Sequence, residues 1–189
     1  HPLGILLERI RLERAPDVIL LDGRAGLSPA AGLLLSGIAH LHVCVATSNV
    51  QSLRGLERVI RHLGFEQARQ RRAQRECVVV QAHVADSSEA KAARAHFAAE
   101  VEAMFRDGYY TPEPTDDDDT WSLADLDSQV APHVPVPITY RGLLAHFERI
   151  EDVAQLLASG PDHVALHRRL DERLGKHAPG ERANTEAPL

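Results

Sequence analysis

Long apolar runs are missing from this chain. No stretch approaches the roughly 18 uninterrupted apolar residues that a spanning helix requires, and 25% of the 189 residues are charged, which excludes a membrane-spanning helix. Cysteine is scarce: Cys44 and Cys77, each inside an apolar run, cannot build a disulfide framework. No basic-then-apolar leader with a small-residue cleavage site precedes them, so a reducing, cytoplasmic setting is expected. Methionine occurs once, at Met104, and the first residue is His1; we read the sequence as a fragment of a longer chain. Lysine is nearly absent, with 2 Lys against 19 Arg, a bias that codon composition explains more simply than a nucleic-acid partner. What is present is a 44% apolar content, enough for one domain with a core or for part of a larger one. The net charge of −6 is unevenly spread, with 11 Arg against 6 acids in residues 1–75 and 10 basic against 21 acidic residues in 76–189.

The apolar pattern alternates between two kinds of segment. Ile5, Leu6, Ile10 and Leu12 sit in a loosely helical rhythm over residues 5–14. Asp17-Val-Ile-Leu-Leu-Asp22 is an aliphatic run too short for a core helix and is expected to be a strand buried on both faces of a parallel sheet. Residues 39–46 and 77–80 read the same way. Between them Val50, Leu53, Leu56, Val59, Ile60 and Leu63 recur at three- and four-residue spacing, with Ser48 and Gln51 as a capping box and Gly64 as the stop. A second helix is expected over 87–105, capped by Asp86, with Ala93, Phe97, Val101, Met104 and Phe105 on one face. Residues 107–127, with four consecutive aspartates at 116–119, read as a solvated acidic loop. The prolines of Val134-Pro-Val-Pro-Ile-Thr-Tyr140 confine that segment to a sheet edge or a strand end. Helices over 143–157 and 163–174 follow, and residues 175–189 are expected to be a disordered tail. Strand, helix, strand, helix is the signature of an α/β domain with a mainly parallel sheet, here spanning 1–174.

In open parallel sheets ligands sit beyond the carboxyl ends of the strands. An aspartate that ends a buried strand, as Asp22 does, is suited to holding Mg²⁺ through water, and the glycines after it let a loop approach a phosphate. Asp22-Gly-Arg24-Ala-Gly26-Leu-Ser28, with the strand before it, resembles the Walker B strand and switch loop of ParA/MinD-like P-loop ATPases of the Asp-Ser-Arg-Thr-Gly-Leu-Ser subgroup. Val45-Ala-Thr-Ser-Asn49-Val-Gln51-Ser-Leu-Arg-Gly55 resembles that family's next strand-to-helix turn. Val78-Val-Val-Gln81-Ala-His83 resembles its later strand and nucleotide-side turn, and the segment around Pro137 resembles its near-C-terminal proline segment.

The resemblance implies a P-loop-like three-layer α/β fold and a nucleotide-switched homodimer that binds ATP and Mg²⁺ and hydrolyses ATP when intact. It implies Asp22, Arg24 and Gly26 as the catalytic set, with Asp22 on the metal, and Asn49, Gln51, Gln81, His83 and Pro137 around the nucleotide. The family's Lys-Gly-Gly-x-Gly-Lys-Thr phosphate loop does not occur between residues 1 and 189, so neither ATP hydrolysis nor a bound cofactor is expected of this chain alone. Gly23 stands where Ser is usual, and Ala82-His83 where Ser-Arg is. The rival reading is a non-hydrolysing pseudo-ATPase or partner-binding scaffold. Arg69, Arg71, Arg72 and Arg75 form a basic patch read as a solvated loop, with non-specific DNA contact as the alternative. His40, His42 and Cys44 alternate along one strand and are assigned to packing, because a flat row gives poor tetrahedral geometry for Zn²⁺.

Overall fold

A computed structural model describes residues 2–23, 26, 32, 34, 35, 37–70, 75–85, 89–113 and 120–175, leaving aside the side chains of 65–70 and 145. The chain contacts group it into two units, residues 1–39 and 40–189. In the first, helix α1 (Pro2–Arg14) carries the pairs Arg9–Glu13 and Glu8–Arg11 and buries none of its side chains. The strand expected over 17–22 does not form among the described residues. An aliphatic run becomes a strand only when a neighbour completes its ladder, and here Val18, Ile19 and Leu20 remain 49%, 37% and 90% exposed.

The second unit is α/β. Strands β1 (Leu41–Ala46), β2 (Glu76–Val84) and β3 (Val136–Thr139) form an open, all-parallel sheet in the order β1-β2-β3. β1 leads into helix α2 (Val50–Gln70) and β2 into helix α3 (Glu89–Gly108). After β3 come a short 3₁₀ turn (Gly142–Ala145), α4 (Ile150–Ser159) and α5 (Pro161–Gly175), where two helices over 143–157 and 163–174 were expected. Among the described residues no helix is long and apolar enough to cross a membrane.

Register sorts the side chains by face, because paired residues in a parallel ladder point the same way. Val78, Val80 and Val136, with Leu41 and Ile138, meet Ala165, Leu166 and Leu170 of α5. On the other face Cys77 and Val79 are fully buried, and α2 and α3 supply Leu53, Leu56, Ile60, Leu63, Phe97, Val101 and Phe105 to the core. β1 departs from the expectation of burial on both faces. Val43 and Val45 are 44% and 65% exposed, because α5 packs on β2 and β3.

Three local expectations are corrected. The cap of α2 is Asn49, one residue beyond the expected Ser48. Asn49 Oδ1 accepts the Ser52 N–H at 2.8 Å, one step later than expected, and Ser52 Oγ accepts the N–H of Thr47, two residues before the cap, at 2.9 Å. Asn49→Ala should therefore cost about 1 kcal/mol in a denaturant titration, and Asn49→Asp almost nothing; equal stability of the alanine variant would show that the cap carries no weight. Gly64 does not end α2, which runs on to Gln70. The α3 stripe consists of Ala90, Phe97, Val101 and Phe105, with Ala93 exposed; Asp86 lies outside the described residues.

In the acidic segment 107–127 the aspartates at 116–119 lie outside the described residues, and the two described ends are more than a solvated loop. Tyr109 and Tyr110 are buried at its start, and a 3₁₀ turn (Leu123–Asp127), capped by Ser122 and Asp125, closes it. Thr111 N–H donates to the Trp121 carbonyl and Leu123 N–H to the Thr111 carbonyl, pinning the two ends together.

Candidate functional site

The parallel strands end on one side of the sheet, and so does the beginning of α2. Ser48 Oγ, just past β1, accepts a hydrogen bond from Gln81 Nε2 at 2.9 Å. Asn49 Nδ2 donates to Thr47 Oγ1 at 2.7 Å while its Oδ1 caps α2. Gln81 is 2% exposed and stands between Ala46 on β1 and Pro137 on β3, its two register partners. Of the sequence-predicted residues, Gln81 and Pro137 are thus paired across β2 and β3, and Asn49 follows Ser48, the partner of the Gln81 amide. They lie within a few residues of where the apolar runs stop, and parallel pairing aligns those stops.

His83 lies two residues beyond Gln81 with φ of 58°, a left-handed backbone that few non-glycine residues adopt. Its exposed ring meets the ring of Tyr140 edge-on at 5.4 Å, and Tyr140 N–H donates to the Val84 carbonyl. Gln51 is exposed in the first turn of α2. In the first unit Asp22 is exposed, Gly26 has φ of 90° with open space around it, and Arg24 lies outside the described residues.

Sequence reasoning passed over the far end of this edge. Asp162, in the first turn of α5, accepts the Thr139 N–H at 2.9 Å and so ties the end of β3 to the helix. Burial acts to raise its carboxyl, but the hydrogen bonds from Thr139 and the charges of Arg141 and His163 hold it below the ordinary carboxylate range. Arg141 Nε and His163 Nδ1 are buried atoms with no hydrogen-bond partner among the described residues. The signal was present as an acid following Pro161, a usual helix opening, but its partner 23 residues away could not be read.

The edge offers amide, hydroxyl, imidazole and phenol groups with one guanidinium, a set that recognises polar ligands. The two thiols lie elsewhere and are poor nucleophiles, since burial pushes Cys44 up to about 12 and Cys77 well above its ordinary value. His42 is buried beside them on the α2-facing side of β1, in the packing position expected for it; His40 is exposed. Of the basic patch, Arg71 and Arg72 lie outside the described residues, and the Arg75 carbonyl accepts the Tyr109 hydroxyl. No protein-family model matches this chain, and no curated protein or solved structure matches it.

Proposed function

We propose that this chain is the C-terminal, nucleotide-base side of a ParA/MinD-like ATPase that binds and hydrolyses ATP as a nucleotide-switched dimer when intact. The supporting observation is the pairing of Gln81 with Pro137 toward the carboxyl edge of a parallel sheet, with the Gln81–Ser48 hydrogen bond tying it to the turn that holds Asn49. That edge is where open α/β sheets receive ligands. The residues present fit the base and sugar of a nucleotide better than its phosphates: Ser48, Asn49, Gln81, His83 and Tyr140 offer hydrogen-bonding groups and rings, the Arg141 guanidinium has the Asp162 carboxylate beside it, and the chain has no Lys-Gly-Gly-x-Gly-Lys-Thr loop. Asp22 is a single carboxylate and holds Mg²⁺ only together with groups from elsewhere, so no hydrolytic step is derived for this chain.

The test is a titration of the isotope-labelled chain with ATP and ADP, followed residue by residue. Binding in the millimolar range, about −4 kcal/mol, is expected, with shifts at Ser48, the Gln81 side-chain amide, His83 and Tyr140 that Gln81→Leu abolishes, and with no phosphate release. Absence of shifts at these positions up to roughly ten times that concentration would reject the reading. The rival, a partner-binding scaffold without nucleotide chemistry, draws its support from the uncovered Val43 and Val45 on β1, since exposed apolar sheet faces mark contact surfaces.

A further inference from the structure

One buried polar pair joins the end of α3 to the turn that leads into β3, on no path to the carboxyl edge of the sheet. The Tyr110 hydroxyl lies 2.6 Å from His133 Nδ1, and the two residues are 8% and 4% exposed. The imidazole meets the Tyr110 ring edge-on at 5.7 Å and lies 6.5 Å from the Phe105 ring. A neutral imidazole with a bare Nδ1 accepts the phenolic proton, so both groups are satisfied inside an aromatic enclosure.

Around His133 the turn is otherwise held by backbone groups. Ala131 N–H donates to the Ser128 carbonyl, and Val134 N–H to the Ala131 carbonyl. The Arg169 guanidinium of α5 donates to the carbonyls of Gln129, Ala131 and Val134. These bonds survive a change of pH unaltered; the Tyr110–His133 bond reverses, with the ring donating to the phenolic oxygen and the hydroxyl's own proton left without its acceptor. A proton on Nδ1 turns the acceptor into a donor, deprives the Tyr110 hydroxyl of its acceptor, and places a cation among Phe105 and Tyr110.

We propose that Tyr110 and His133 form a proton-operated latch, which at neutral pH fastens the 128–135 turn, and with it the start of β3, to α3 and in mild acid lets it go. The charges facing the ring work in both directions. Glu102 of α3 and a hydrogen bond to the Leu126 backbone favour the protonated ring, while Arg106 of α3 and Arg169 of α5 oppose it; on the phenol side Cys77 of β2 and Asp125 act against Arg173 of α5. Burial is the largest influence and holds His133 below the ordinary imidazole range. The sign follows. A base with a lowered folded value stabilises while neutral, so the latch is at full strength above the unfolded value of about 6.5. It weakens as pH falls from there toward the folded value, about tenfold in opening for each pH unit of that interval.

Hydrogen exchange at pH 7.5 and 5.0, corrected for intrinsic rates, tests this. The Ala131 and Val134 amides should lose protection on acidification, while the amides of Val78, Val79 and Val80 keep theirs. His133→Gln, whose amide oxygen can accept the Tyr110 hydroxyl, should remove the change. An equal loss in β2, or an unchanged profile in the glutamine variant, would overturn the latch. If that variant does not fold, the native protein decides: a His133 titrating at or above about 6.5 sinks the proposal, and one titrating below it sustains the latch only with the Ala131 and Val134 amides opening along the same titration, their failure to do so sinking it.

Discussion

Gly64→Ala is expected to destabilise the protein by about 3 kcal/mol or more, although alanine at a helix interior ordinarily gains about 1 kcal/mol over glycine. Gly64 lies where α2 crosses the end of α3. A Cβ there would stand 1.8 Å from the Gly108 carbonyl oxygen and 2.8 Å from both the Gly108 carbonyl carbon and the Tyr109 Cα. All three are backbone atoms, so no rotamer change relieves the contact, and the two helices must separate. The buried stripe Ile60, Leu63, Phe97, Val101 and Phe105 would be pulled apart with them. Gly55, in the same helix with nothing within 4 Å of its would-be Cβ, is the control, and Gly55→Ala should stabilise by roughly 0.5–1 kcal/mol. Urea titrations of the two variants decide the matter. If Gly64→Ala melts with or above the parent, the close crossing is wrong.

Arg173→Ala should cost about 3–5 kcal/mol, the range for leaving one member of a buried ion pair without its partner. Arg173 and Glu76 are each 3% exposed, with Nη1 and Oε2 3.2 Å apart. The Trp121 indole N–H donates to Glu76 Oε1 at 3.2 Å, and the guanidinium lies 4.5 Å over the Trp121 ring while also reaching the Val130 carbonyl. The pair therefore holds together the start of β2, the end of α5 and the segment between α3 and β3. Removing both charges with Glu76→Leu and Arg173→Leu should recover most of the loss, because an apolar pair carries no desolvation cost. A single Arg173→Ala variant within 1 kcal/mol of the parent would show that solvent reaches Glu76.

These two positions mark where sequence reading ran out. The α2 stripe was legible because its period is local: Leu53, Leu56, Ile60 and Leu63 repeat at helical spacing and all are buried. Val78, Val79 and Val80 were legible as a run that only a two-sided strand accommodates. Gly64 looked like a stop because glycine usually ends helices, yet its role is to make room for a backbone 44 residues further on, and no local pattern encodes that. The aliphatic run Val18-Ile-Leu-Leu21 failed for the complementary reason, since strand formation depends on a neighbour and not on the run itself. At the carboxyl edge, Asn49, Gln81 and Pro137 were singled out by the motif resemblance and not by any local pattern of their own. Ser48, Tyr140 and Asp162 were not, because each acts through a partner set by the tertiary fold.

The ion pair that closes the sheet also orders events in time. Glu76 and Arg173 are 97 positions apart, so a growing chain makes the carboxylate long before its guanidinium exists. At about 5–20 residues per second that delay lasts roughly 5–20 s. During it β2 has neither the charge that neutralises its first residue nor the Ala165, Leu166 and Leu170 face that covers Val78 and Val80. The nascent sheet then has an uncovered apolar face and an unneutralised carboxylate at its amino end. Synthesis of α5 is the step that ends this exposure.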